Sequence, residues 1–385
     1  MMNLQTVLTI TKKEMLEIWR DRVYFIMAFV FPFIMILILG FGLSFDVEKM
    51  PFAVLDYDNS DQSRDYSYKF ISSRYFDYKG SIDSVKKADE LINTSKVRFV
   101  LVIPPEFSKN IINGYSAEVQ AQIDGMFNYR ASVVSGYISA INANYNSELI
   151  QQWAMKSQGM TSQAISDLIS PVSLETRYLY NNELKSIWST GTGLIVLVML
   201  VSPAMLAALG VVREKETGSI FNIYASTASR SEFITGKLLP YIAISYINIS
   251  ILCLLALWVF QAPFKGDLSV LLVANFFFVA SAAAIGVLIS SFVKSQAAAA
   301  LISMLGTMIP GIMYSGLMMP VASMSSEAVI EAHAFPAMYQ LEVIWGVFLK
   351  GQGWPELWLN ILILSGFLIL LWLLAVLRFR KRVNG

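Results

Sequence analysis

Side chains able to do chemistry are scarce along most of this chain, and they gather in one place. Arg213-Glu214-Lys215-Glu216 puts four charges in a row directly after a long uncharged run, and a second uncharged run starts at Leu238. Near the end of that interval, Gly236-Lys237 resembles the close of a phosphate-binding loop. Such a loop needs a glycine five residues before the Gly-Lys pair and a Ser or Thr after it. Those positions are Ser231 and Leu238, so this chain builds no phosphate cradle of its own. The single histidine, His333, excludes multi-histidine metal sites, and its place beside Glu331 and Pro336 suits a turn better than a ligand set. The single cysteine, Cys253, lies in an apolar run and excludes disulfides and thiolate clusters within the chain. No nucleophile elbow or paired-carboxylate spacing occurs in the polar part of the sequence. Catalytic, cofactor and metal residues are therefore not expected.

The elements that hold these residues are mostly apolar. Of 385 residues, 55% are hydrophobic and only 15% charged, with mean hydropathy +0.55, where a soluble domain has about 25% charged residues. A net charge of +1 argues against nucleic acid as a partner. Six runs free of ionisable side chains are long enough to cross a bilayer, which takes about 20 residues. They predict spans at 23–45, 186–212, 238–264, 268–293, 296–319 and 356–378. With the N-terminus inside, the short inner segments hold Lys12, Lys13, Arg20 and Arg22, then Arg213, Lys215, Arg230 and Lys237, then Lys294, then Arg378, Arg380, Lys381 and Arg382. The short outer loops hold only Lys265 and Lys350. Positive charge marks the cytoplasmic side, so both termini are expected there.

Four further regions complete the plan. Residues 1–22 read as a helix lying in the membrane interface, mixing Leu8, Met15, Ile18 and Trp19 with Lys12, Lys13, Glu14, Arg20 and Asp21. It could be a surface anchor or a docking element. Residues 46–185 alternate strand-like and helix-like stretches and predict an α/β domain outside the cytoplasm. "FAVLDYD", "YFDYK", "RFVLVI" and "AEVQAQID" read as strands. The continuous apolar run of "RFVLVI" predicts cover on both faces. Between and after them, helices are expected over "NSDQSRDYSYKFISS", "SIDSVKKADELINTS", "PPEFSKNIINGY" and from Tyr129 to Trp153. Acidic residues slightly outnumber basic ones there, against a role with anionic lipid. Residues 213–237 are expected to form a cytoplasmic loop, 320–355 an outer segment, and 379–385 a tail. Within 320–355, Val343–Leu349 is apolar but too short to span, as a re-entrant segment would be.

Energy supply separates the functional classes. Ion-driven transporters place Asp, Glu, Lys or His within their spans, and these six runs hold none. They do hold Ser202, Asn248, Asn275, Ser303 and Thr307, candidates to line a translocation path. Hydrogen bonding between helices, at about 1 kcal/mol each, is the simpler role for most of them. The charged loop itself admits two readings. A partner could grip it and push two spans together, or it could fix topology only. Ser229 and Glu232 have capping-box spacing and would start the third span's helix.

Arg213-Glu214-Lys215-Glu216 followed by "TGSIFNIYASTASRSEFITGK" resembles the loop after the second span in permeases of the ABC-2 exporter family, whose pattern is R-E-[KR]-E-x-G-[ST]-[IVL]. "KKEMLEIWRDR" resembles that family's interface helix, with Arg22 where many members have proline. "FAVLDYDNSDQSR", "PVSLETRYLYN" and "LRFRKR" resemble the drug-exporter branch, in an order that covers nearly the whole chain. The resemblance implies a polytopic α-helical membrane protein with six transmembrane helices, an α/β extracytoplasmic domain and an outer re-entrant hairpin over 320–355. It implies two permease subunits, identical or paralogous, served by two separate ABC ATPase subunits that bind the ATP and Mg. It assigns ATPase coupling to Arg213, Glu214, Lys215, Glu216 and Gly218, with Lys12, Lys13, Glu14, Arg20 and Asp21 of the interface helix. Membership of efflux systems would add a periplasmic membrane-fusion protein and an outer-membrane channel. A protein that transmits ATPase strokes to a periplasmic partner without transporting anything is the alternative, and its usual smaller number of spans counts against it.

Overall fold

The computed structural model describes residues 3–42, 49–94, 96–113, 115–125, 128–158, 180 and 185–379. "PVSLETRYLYN" apart from Tyr180, and the basic tail beyond Phe379, lie outside the described residues. The chain divides into two units, Met1–Ser44 with Tyr178–Gly385, and Phe45–Arg177.

The first unit is helical. Six of its helices are long and apolar enough to cross a membrane: Arg22–Gly40, Ser186–Glu216, Arg230–Trp258, Leu268–Ser290, Gln296–Tyr314 and Trp354–Arg378, here spans one to six. The starts of all but span two have a local cause. The Asp21 carboxylate accepts from the Val23 and Tyr24 amides ahead of span one. Ser229 and Glu232 close the expected capping box of span three. Asp267 and Ser295 cap spans four and five, and Pro355 enters span six in its first turn. Span two is the axis of the unit, with every residue of its most apolar stretch buried. Gly286 of span four makes that possible, since a Cβ there would lie 2.0 Å from the Ala204 carbonyl oxygen. Small residues let the two backbones approach where larger ones could not.

Span one departs from regular geometry. Ile26–Val30 is a π turn, and the Asn248 side-chain amide of span three donates to the Ala28 carbonyl at 2.6 Å. A side chain bonding a ladder carbonyl is a recognised cause of such a defect.

The stretch between spans five and six folds into helices Ser326–His333 and Pro336–Trp345, the second prolonged by a π turn at Gly346–Lys350. Leu341, Val343, Ile344, Val347 and Phe348 bury into the same core as span two. Neither helix is among the six long and apolar enough to cross a membrane.

The second unit carries a four-stranded sheet in the order β2-β1-β3-β4: β1 Met50–Asp56, β2 Phe76–Ile82, β3 Phe99–Ile103 and β4 Gln120–Ile123. β1 pairs in parallel with β2 and β3, and β4 is antiparallel to β3. Helix Asp61–Ile71 and the long helix Asn128–Gln158 cover one face, where Phe52, Phe99, Leu101, Tyr66, Phe70, Val134 and Tyr145 pack together. Helix Val85–Asn93 covers the other against Leu55 and Val100. The central strand β3 thus has apolar neighbours above and below, which explains its unbroken apolar sequence.

Candidate functional site

Arg213–Glu216 was expected in the loop that follows span two, and here the structure differs. These residues are the last turn of span two, which runs unbroken from Ser186 to Glu216. Nothing in Val211–Glu216 breaks a helix, so it continues until Gly218 takes a left-handed conformation at φ +74°. The separate short helix is Ile220–Ala225. Span three also begins earlier than the uncharged run, at Arg230, and so carries Lys237 inside its helix.

Consecutive residues on an α-helix point about 100° apart, so four in a row reach almost all the way round. Each member of the quartet accordingly meets a different element. Arg213 pairs with Asp21 at 2.6 Å and lies over the Tyr24 ring, at the start of span one. Glu214 Oε1 accepts from Lys13 of the N-terminal helix Leu4–Arg20 at 2.6 Å and lies 3.0 Å from Lys237 of span three. Lys215 donates to the carbonyls of Ser290, ending span four, and Val293 just beyond it. Glu216 accepts from both the backbone and the side-chain amide of Gln296, which opens span five.

Beside this turn is a buried ionic cluster. Lys237 is fully buried and pairs with Glu14, itself 2% exposed, and Tyr241 donates its hydroxyl to the same carboxylate. The packing that admits them depends on two glycines. A Cβ on Gly210 would overlap the Tyr241 hydroxyl, and one on Gly236 would press into Ile10 and the Val7 carbonyl. The Thr11 hydroxyl also donates to the Gly236 carbonyl at 3.1 Å. Gly236-Lys237 is therefore where the N-terminal helix docks on span three, not the end of a nucleotide loop.

The electrostatics follow from burial. Loss of water pushes the Glu14 carboxyl above its ordinary range, against the pull of the Lys237 ammonium and the Tyr241 hydroxyl. Partial desolvation also pushes the Asp21 carboxyl up, but the Tyr24 and Val23 amides and Arg213 outweigh it and leave it below the usual range. The carboxylates of Glu14, Glu17 and Glu214 lie within 4.8 Å of one another, close enough to share a cation. Lys13 and Lys237 already supply that positive charge, so the cluster fits an internal ion-pair network rather than a metal.

Of the other residues singled out from sequence, Lys12 and Arg20 are exposed on the N-terminal helix and take no part in the cluster. Ser202, Asn248, Asn275, Ser303 and Thr307 are all buried within this chain. Asn248 holds the π turn of span one. Asn275 accepts from the Gln340 side chain of helix Pro336–Trp345 at 2.7 Å and approaches Cys253. Thr307 bonds back to the Ser303 carbonyl of its own helix. The Ser303 hydroxyl, Asn248 Oδ1 and Gln340 Oε1 are buried without a partner among the described residues. Lys237, Tyr241, Gly210 and Gln296 were not foreseen. The capping box at Ser229 was the available signal for Lys237, because a helix starting there places it two turns in.

A family model described as ABC-2 family transporter protein matches residues 22–377. The chain belongs to this family. Among its relatives, the Escherichia coli strain K12 protein "Probable multidrug ABC transporter permease YbhS" is 26% identical over 373 residues, covering 97% of this chain and 96% of that one. "Probable multidrug ABC transporter permease YbhR" of the same strain is 23% identical over 354 residues, covering 91% and 92%. The "Linearmycin resistance permease protein LnrN" of Bacillus subtilis strain 168 is 20% identical over 305 residues, covering 76% and 78%. This ABC-2 chain is thus a multi-pass membrane permease, matched along almost its full length by proteins of the same size. Its charged quartet sits where span two ends and the loop to span three begins.

Proposed function

We propose that this chain is the membrane subunit of an ATP-driven exporter. Two permease chains, identical or paralogous, work with two separate ATPase subunits, which bind the ATP and Mg. The cargo is hydrophobic or amphipathic, a drug-like compound or a lipid, moved out of the cytoplasm or the inner leaflet. The protein resides in the bacterial inner membrane with both termini in the cytoplasm, and the α/β unit lies on the outer side. There it is open to a membrane-fusion protein and, through it, an outer-membrane channel. The observation that carries this reading is family membership over residues 22–377, joined to the absence of a phosphate cradle from the sequence. The ATPase engages the loop Thr217–Ser229 with its short helix Ile220–Ala225, and the exposed side of the N-terminal helix at Lys12 and Arg20. The charged quartet and Lys13, Glu14 and Asp21 stand behind that surface. Gly218 supplies the turn that separates the two.

The test is ATP hydrolysis by the complex in nanodiscs, with and without lipophilic cations such as ethidium and with defined lipids. Stimulation by these compounds supports export. Stimulation only by a periplasmic protein would replace this reading with that of a non-transporting stroke transmitter. Export should also survive an uncoupler at constant ATP, because the only buried ion pairs described are closed on themselves at one end of the bundle.

A further inference from the structure

We propose that Arg213–Glu216 is an intramolecular hub, which fastens the cytoplasmic ends of spans one, three, four and five to the end of span two, rather than a surface that grips the ATPase. The proposal rests on the exporter reading for its mechanical purpose, but its geometry stands within this chain alone.

Three observations carry it. All four side chains have partners inside the chain, and those partners belong to the N-terminal helix and to four different spans. Their helical spacing forbids a common face, so no single external partner could hold all four. The apolar stretch of span two is buried on all sides, which puts the turn that ends it within reach of several neighbouring helices. The contact with span six is made one layer out: Phe379 stacks on Phe233 of span three, and Arg378 lies over Phe292 in the segment between spans four and five. A push delivered to the loop after Gly218 would reach the last turn of span two first. It would then divide among the tied span ends through short polar links rather than through long, deformable apolar contacts. Lys215 and Glu216 matter most here, because spans four and five are tied to span two at this end by their contacts with Ser290, Val293 and Gln296.

The arm to span five can be rebuilt without touching any other protein. Glu216→Lys removes the acceptor for both Gln296 amides. Adding Gln296→Glu restores a bond of reversed polarity, and the backbone amide it leaves is a first-turn group open to water. In the permease alone, in nanodiscs, hydrogen exchange at Ala297–Ala299 should accelerate about tenfold in Glu216→Lys and return to within about threefold of the parent in the double variant. In the co-expressed complex, the ATPase should co-purify with Glu216→Lys as with the parent. Trapping with ATP and vanadate should change exchange at Ala297–Ala299 in the parent and the double variant, but not in Glu216→Lys. The hub is overturned if exchange there is unchanged by Glu216→Lys, or if Gln296→Glu fails to restore it. It is equally overturned if Glu216→Lys loses the ATPase and only a charge change on the ATPase recovers it. A parent chain that retains no ATPase would instead overturn the exporter reading, leaving the exchange result to decide the hub.

Discussion

Replacing Lys237 with methionine isolates the buried ion pair and puts a number on it. The ammonium is fully buried, so Lys237→Met costs no lost solvation and leaves the Glu14 carboxylate in place with only the Tyr241 hydroxyl as partner. Glu214 keeps Lys13 at 2.6 Å. Glu14 must either remain charged in a dry site or take up a proton. Taking up a proton at pH 7 costs about 3.7 kcal/mol for a carboxyl of ordinary pKa near 4.3. That is a ceiling on the loss, in line with the roughly 3–5 kcal/mol seen when one partner of a buried pair is removed. The sign with pH follows. In Lys237→Met the folded-state pKa of Glu14 lies further above its unfolded value. The deficit is then largest above the folded pKa and shrinks as pH falls toward the unfolded one, by about 1.4 kcal/mol per unit. Unfolding in mixed micelles, followed by tryptophan fluorescence, should show a loss of about 3 kcal/mol at pH 7.0 and about 2 kcal/mol less than that at pH 5.5. Adding Glu14→Gln should recover most of the pH 7.0 loss. A loss below about 1 kcal/mol, or one equal at both pH values and unmoved by Glu14→Gln, would refute the buried pairing.

Gly286→Ala should destabilise the bundle by about 1–3 kcal/mol or more, because the added carbon meets the Ala204 backbone rather than a movable side chain; thermal unfolding in nanodiscs reads it, and an unchanged midpoint would contradict the close approach of spans two and four. Ser60→Ala removes the hydroxyl that accepts from Ser63 in the capping box of helix Asp61–Ile71 and should cost the α/β unit about 0.5–2 kcal/mol, measured by denaturant unfolding. With Cys253 replaced by alanine, a cysteine in place of Asn59 should react with an impermeant maleimide on intact cells, and one in place of Thr217 should not. Labelling at Thr217 would invert the proposed orientation.

The spans were legible because a helix crossing a bilayer must be apolar for about 20 residues, whatever its neighbours. The β1 and β3 strands and the long helix Asn128–Gln158 were legible for a related reason: burial against one core imposes period and composition. The charged quartet was read less well. Its residue types announce a special turn, but its four consecutive positions cannot share a face. Lys237 reads as the edge of a loop when runs free of charge mark the span ends. A lysine can be carried inside a helix when two carboxylates and a neighbouring glycine are brought to it from residues more than twenty positions away. Distances of that kind leave no local trace.

Span two ends up enclosed by helices on every side, yet its apolar stretch has a mean hydropathy of 2.6, equal to that of spans one and six, which bury only 28% and 22% of theirs. A helix buried among other membrane helices can be built of small and weakly polar residues, so burial alone does not require that hydropathy. Its composition fits its history instead. Spans three, four and five follow it in the chain, so when it emerges during synthesis most of the helices that will surround it do not yet exist. It has to be stable in lipid by itself at that moment, and its apolar side chains are then reused as the centre of the bundle. The same order of events gives its charged last turn an early task. Before spans three, four and five arrive to be tied, four charges at one end hold the helix at fixed depth in the membrane.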